Sequence, residues 1–252
     1  MNQSELERYS RSIILPQIGI EGQLAFKNAS IFVLGCGGVA SGLLPLLASN
    51  GVGRIGICDF DTLELSNLQR QHIYTTKNIG KTKVLQSAKL LRAINGNINV
   101  KTYNAPLNAA SEGKYKKIIQ NYDIVIDTSD TFASRNLINK LCVELQKPLF
   151  GGAAIGFDVQ VYMFKNAGES GCYNCIYENP QDTKTCANSG VFAPAPSICG
   201  SLVCSFVLQY ILQGVNFKFF NTFYTLNLQA QKQNIINIER DEACKTCSKP
   251  LL

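Results

Sequence analysis

The passage that most constrains this chain is an apolar, β-branched run at 31–34 that enters Gly35-Cys36-Gly37-Gly38-Val39-Ala40 and continues into Leu43, Leu44, Leu46 and Leu47. A strand that ends in clustered glycines and passes at once into an apolar helix predicts a tight βα turn, because glycine alone turns this sharply without a Cβ in the way. The alternation then repeats. A strand at 54–58 ends in Asp59-Phe60-Asp61, and a helix at 83–95 places Val84, Ala88 and Leu91 on one face. A strand at 98–103, a helix near 110–120 and a strand at 124–126 ending at Asp127 follow. Ile138, Leu141, Cys142 and Leu145 then recur at i, i+3, i+4, i+7 before Pro148-Leu149-Phe150. Repeated βα units predict an α/β fold with a Rossmann-like, doubly wound, mostly parallel sheet.

After Gly151 the pattern changes to strands near 159–164, 223–228 and 234–238 with an apolar helix from Ser197, which are expected to complete the sheet in antiparallel fashion. The organisation predicted is one unit over 1–252: a helical arm (1–29), a nucleotide-binding half (30–150) and a sheet-completing half (151–252). Pro45 is expected to kink the helix after the glycine turn. The polar, proline-bearing stretch 179–196 is expected to cross over a site as a loop.

A chain of 252 residues, 46% hydrophobic and 17% charged, can bury one substantial core and is not a disordered sequence. Lys and Arg exceed Asp and Glu by 24 to 18, a net charge of +6 whose densest cluster is Lys114, Lys116 and Lys117. That excess predicts no nucleic-acid partner. Residues 28–53 and 185–217 carry no charge, but glycines and prolines break both, so they read as buried elements and no membrane association is expected. Glu5 and Glu7 at the start exclude a secretory signal. The expectation is a cytoplasmic protein whose ten cysteines are reduced.

In a doubly wound sheet, ligands bind where strands end, and three strand ends here carry distinctive groups: Gly35, Gly37 and Gly38, Asp59 with Asp61, and Asp127 with Asp130. The glycines allow a phosphate to approach the helix start, and Asp59 is placed to accept from a ribose hydroxyl. These residues alone leave a ligand-free turn, a nicotinamide cofactor and ATP all open. Arg70 and Lys83 favour ATP, since two added cations suit a triphosphate under attack and a nicotinamide cofactor has no such need.

Cys172-Tyr173-Asn174-Cys175 and Cys244-Lys245-Thr246-Cys247 are two CxxC pairs able to supply four thiolates to zinc. Spacing alone also admits a redox pair or unrelated thiols. Cys186 stands apart in a polar segment where a thiol can act as a nucleophile. Cys36, Cys58, Cys142, Cys199 and Cys204 lie on apolar elements and read as core. His72 is the only histidine, which argues against imidazole acid–base chemistry.

Taken together, these motifs with Arg8-Tyr9-Ser10-Arg11, the segment 19–23, Gly51-Val52-Gly53, 66–71 and 80–83 resemble the adenylating family that comprises the thiamine and molybdopterin sulfur-carrier adenylyltransferases and the adenylation domain of ubiquitin-activating enzymes. The resemblance covers nearly the whole chain, with Val39-Ala40 standing where the family commonly has Leu-Gly. It implies adenylation of the C-terminal glycine carboxylate of a ubiquitin-like sulfur carrier ending in Gly-Gly, with ATP, Mg2+ and Zn2+ as cofactors. By it, Gly38 approaches the nucleotide, Asp59 holds the ribose, Asn67, Arg70 and Lys83 contact phosphates, and Asp130 binds magnesium. Asp61, Ser66 and Thr131 complete the implied nucleotide contacts. Arg11 would reach the triphosphate of a neighbouring subunit, implying a homodimer. The four CxxC cysteines would hold a structural zinc, and Cys186 would offer a covalent link to the carrier. No sulfurtransferase segment follows the second CxxC pair, so the sulfur donor is expected to act in trans. Two other readings are a different peptide C-terminus as substrate and a non-catalytic partner subunit of the same fold.

Overall fold

The computed structural model describes residues 1–167, 170–177 and 190–248. Its elements run α1 (Gln3–Arg8), α2 (Ser10–Ile13), α3 (Gly19–Asn28), β1 (Ser30–Leu34), α4 (Gly38–Ser49), β2 (Arg54–Cys58), α5 (Lys83–Ile94), β3 (Asn99–Tyr103) and α6 (Glu112–Ile119). They continue with β4 (Ile124–Asp127), α7 (Phe132–Glu144), β5 (Leu149–Ile155), β6 (Asp158–Phe164), α8 (Pro194–Gln213), β7 (Thr222–Asn227) and β8 (Lys232–Asn237). All eight strands form one sheet in the order β3-β2-β1-β4-β5-β6-β7-β8. The first five are parallel, and β6, β7 and β8 add antiparallel neighbours. This is the predicted Rossmann-like sheet with its antiparallel completion.

The alternation of β1 shows how the sequence builds two layers. Ile31 and Val33 join Ile124 and Ile126 of β4 in a core with the apolar faces of α4, α5 and α8. Phe32 and Leu34 point to the opposite face and pack with Tyr115 of α6 and Ile138, Leu141 and Cys142 of α7. Every residue of β1 and β4 is buried, as a strand covered on both faces requires. The five cysteines read as core are all buried.

Helix α4 continues through Pro45 to Ser49, where the sequence predicted a kink. Helix α8 begins at Pro194 rather than Ser197, with proline in its first turn, where the missing N–H costs nothing. Among the described residues it lies in the one helical stretch long and apolar enough to span a membrane. It packs glycine to glycine on α4: a Cβ on Gly200 would collide with the Val39 carbonyl, and one on Gly42 with the Ser197 backbone. Much of the predicted crossover, residues 178–189 with Cys186, lies outside the described residues.

The first helices sit at the far end of α4 and α5. Tyr9 is buried beneath Gly51 and receives a 2.8 Å hydrogen bond from Asn95 at the C-terminus of α5. Arg8 donates to the Ile94 carbonyl at 3.0 Å. Glu5 anchors α1 to α3 by accepting from Lys27 Nζ at 2.8 Å.

Candidate nucleotide site and cysteine cluster

Three helices begin at the C-terminal edge of the parallel strands: α4 after β1, α5 beyond β2, and α7 after β4. Their unpaired first-turn N–H groups make this edge favourable to an anion. Gly35 takes φ +97°, and a Cβ there would stand 2.8 Å from both the Thr128 carbonyl and its Oγ1, so glycine is required on both counts. Thr128 braces the turn by donating to the Leu34 carbonyl at 2.9 Å. Tyr74 braces it from the other side, donating to the Cys36 carbonyl at 2.7 Å and pairing with Ser87 Oγ at 2.8 Å. Burial pushes the Cys36 thiol well up, so it stays neutral packing.

Asp59 is fixed at the end of β2. One carboxylate oxygen accepts from the Cys36 N–H at 2.7 Å, tying β2 to the glycine turn, and the other accepts from the Asp61 N–H at 2.7 Å. Its pKa lies above the ordinary carboxylate value because burial outweighs those two hydrogen bonds. Lys83 is the first residue of α5, buried, with its ammonium 2.9 Å from Asp61. A cation at the positive end of a helix is unfavourable unless compensated. Here Asp61, half-exposed, is the compensation.

The other predicted residues are placed as follows. The Arg70 stem lies against Gly38, and its guanidinium donates to the Ser66 carbonyl at 3.2 Å. Ser66 and Asn67 stand in the loop before it, where Asn67 Oδ1 accepts from the Glu64 N–H at 3.2 Å. Asp130 is exposed at the end of β4. Thr131 is the N-cap of α7, its hydroxyl accepting from the Ser134 N–H at 3.2 Å. Gly35, Gly37, Gly38, Asp59, Asp61, Arg70 and Lys83 thus gather around the glycine turn at this sheet edge. Arg11 does not. It is exposed on α2, whose neighbour Tyr9 is anchored at the opposite end of the 12-residue α4, about 18 Å from the turn at 1.5 Å per residue.

Gln71 was missed as a single residue. It is buried, its amide nitrogen is 3.7 Å from where a Gly37 Cβ would stand, and its Oε1 has no hydrogen-bond partner among the described residues. A buried acceptor left open beside a glycine turn is the state expected of a group that meets a ligand.

The second constellation lies behind α7. The Sγ atoms of Cys172, Cys175, Cys244 and Cys247 all stand within 4.8 Å of one another. Cys172 and Cys244 are 3.8 Å apart and Cys175 and Cys247 3.4 Å apart, and all four are unbridged thiols. Tetrahedral zinc with bonds of about 2.3 Å separates its sulfurs by about 3.8 Å, so the donor set and its spacing fit that ion. Cys175 Sγ also accepts from the backbone N–H groups of Cys172 and Asp241, at 3.4 and 3.5 Å.

The sequence model of the ThiF family matches residues 9–246. The chain belongs to the ThiF family. Among its relatives in that family, a sulfur carrier protein adenylyltransferase of Thermus thermophilus is 42% identical over 215 residues, 82% of this chain and 78% of the relative. The adenylyltransferase and sulfurtransferase MOCS3 of Xenopus laevis is 34% identical over 250 residues, 98% of this chain and 54% of that protein. The chain therefore spans about half the length of the MOCS3 relatives it matches. The ThiF-family fold is also that of Escherichia coli MccB, whose crystal structure superimposes with a TM-score of 0.83 at 25% identity, over 100% of this chain and 75% of MccB.

Proposed function

We propose that this ThiF-family chain is an ATP-dependent adenylyltransferase that activates the C-terminal glycine carboxylate of a small ubiquitin-like sulfur-carrier protein. The observation that carries the reading is the buried Lys83 at the start of α5, held by Asp61 and facing the crevice that Arg70 and the glycine turn share. A cation kept out of water at a convergence of helix N-termini suits a polyphosphate whose charge must be neutralised during attack.

The carrier carboxylate is ionised at neutral pH and attacks the α-phosphorus directly. A bond forms between a carboxylate oxygen and that phosphorus, the α–β bridging bond breaks, and pyrophosphate leaves with its electron pair. No proton has to move, in keeping with a chain whose single histidine, His72, is exposed and paired with Ser197 Oγ at 3.3 Å. Gly37 and Gly38 bring helix N–H groups to the phosphates, Asp59 accepts from the ribose with Asp61 beside it, and Arg70 and Lys83 neutralise charge on the phosphates. Ser66, Asn67 and Thr131 border the same crevice. Lys83 exchanges its carboxylate partner for phosphate as the nucleotide enters.

Asp130, exposed beyond the end of β4 and in no ion pair among the described residues, is the residue that would hold magnesium, which takes few protein ligands and neutralises phosphate charge when bound. The four cysteines would hold a structural zinc. Arg11, one α4 length away within its own protomer, serves the site only across a symmetric contact, which supports a homodimer. Cys186 is proposed as a covalent attachment point for the carrier, and sulfur arrives from a donor in trans. The unbridged cysteines and the modest net charge support a cytoplasmic protein without nucleic-acid or membrane partners. Incubation with ATP, Mg2+ and a carrier ending in Gly-Gly, followed by mass spectrometry of the carrier, should reveal the acyl-adenylate. A carrier returned unmodified while the protein binds ATP would contradict the proposed acceptor.

A further inference from the structure

Helix α7 separates the cysteine cluster from the nucleotide crevice, and two side chains one turn apart on it, Arg135 and Asn139, face the two sites. Asn139 is fully buried. Its Nδ2 donates to Cys172 Sγ at 3.4 Å and to Asn174 Oδ1 at 2.8 Å, and its Oδ1 accepts from the Tyr173 N–H at 3.1 Å. Both N–H donors of that amide and its oxygen are therefore engaged with the turn that carries the first CxxC pair. Arg135 points the other way along the helix. Its Nε and Nη2 both donate to the Ser129 carbonyl, at 3.1 and 2.6 Å, immediately before Asp130.

A second path runs in parallel. The ring of Tyr173, inside the CxxC turn, lies 5.0 Å from that of Tyr162, whose hydroxyl donates to Asp127 Oδ2 at 2.7 Å. Asp127 Oδ1 accepts in turn from the Ser129 N–H at 2.9 Å and the Ser129 hydroxyl at 2.6 Å. The Arg135 charge faces Asp127, Tyr162 and Tyr173 together. Ser129 is thus held at its N–H and hydroxyl by Asp127, which reaches the cysteine turn through the Tyr162 and Tyr173 rings, and at its carbonyl by Arg135 of α7. Asp130 itself is exposed and follows Ser129 directly in the chain.

We propose that Arg135 and Asn139 are positioning residues that transmit the order of the metal-bound cysteine turn to the Ser129–Asp130 loop. The cysteine cluster then fixes the angle at which the Asp130 carboxylate meets the nucleotide site, in addition to fastening the C-terminal segment. The inference rests on the proposed function for its catalytic consequence, but the mechanical link stands without it.

The direct test is hydrogen exchange on the intact protein, loaded with Zn2+ and then stripped by a chelator, without nucleotide. Loss of zinc should speed exchange at residues 128–131 about tenfold, the change that losing one charge-assisted hydrogen bond brings. Exchange in β2 should be unchanged. Asn139→Ser with zinc still bound should reproduce the effect, and Arg135→Lys, which keeps the charge but loses the two-pronged grip on Ser129, should produce it at 128–131 while leaving 172–175 protected. The same proteins should need several-fold more Mg2+ to reach half-maximal ATP binding, with their affinity for ATP in EDTA unaltered. Exchange at 128–131 indifferent to zinc and to both substitutions would overturn the link. Altered exchange with an unaltered Mg2+ midpoint would overturn its part in nucleotide binding, and a wild-type protein that does not bind ATP would refute the proposed function instead.

Discussion

Replacing Asp59 with asparagine perturbs one atom pair and should be felt twice. The carboxylate accepts from two backbone N–H groups at 2.7 Å each, those of Cys36 and Asp61. Asparagine has one acceptor oxygen, so its amide must meet the other backbone N–H donor to donor. One charge-assisted hydrogen bond, about 1.5–3 kcal/mol, is lost and a sheltered N–H is orphaned. Burial raises the pKa of this carboxylate, so its charge is itself costly, and neutralising it offsets part of the loss. The net destabilisation of Asp59→Asn should be about 1–2 kcal/mol, read as a lower urea midpoint at unchanged slope. The second effect is on ligand. Wild type should bind ATP about 10–100-fold more tightly than 2′,3′-dideoxy-ATP, as a hydroxyl donating to a charged acceptor is worth. Calorimetric titration of both nucleotides should find that preference reduced about tenfold in Asp59→Asn. A variant that distinguishes the two nucleotides as well as wild type does would refute the assignment of Asp59 to the ribose.

Gly35→Ala should cost about 2 kcal/mol or more, from the positive φ and from a methyl placed against the Thr128 carbonyl, and should lower the melting temperature; a variant as stable as wild type would show that the turn adopts another conformation. The Glu5 pKa is lowered by Lys27 first and by the Asn2 N–H second. A carboxyl depressed in the folded state contributes stability above its unfolded pKa and loses it as pH falls through the folded one. Urea midpoints should therefore drop more steeply below about pH 4.5 in wild type than in Glu5→Gln, and parallel curves would contradict the anchor.

Much of this architecture is legible in the sequence because β1, β2 and β4 are short, mostly apolar runs that end in glycine or aspartate. The β1 run, the Asp59 strand end and the helix at Lys83 are all found where periodicity puts them. What is not legible has a physical cause in each case. The α8 boundary slipped to Pro194 because a proline that breaks a helix interior is welcome in its first turn. The Lys83–Asp61 pair and the four converging thiols required the tertiary fold, although the CxxC spacing pointed to the latter. Arg135 and Asn139 escaped notice because the helix reads through its apolar positions, and a polar residue on the inner face of α7 looks like any surface residue until its partners are in place.

The central claim is that the convergence of Lys83, Arg70 and the glycine turn activates a carboxylate on ATP. Exchange of labelled pyrophosphate into ATP measures that step in both directions. With Mg2+ and a panel of small Gly-Gly carriers, exchange should appear with a matching carrier, vanish without one, and fall at least a hundredfold in Lys83→Ala and Asp130→Ala, the scale on which charge-stabilising groups act. Exchange that survives either substitution, or none with any carrier despite ATP binding, would contradict the account.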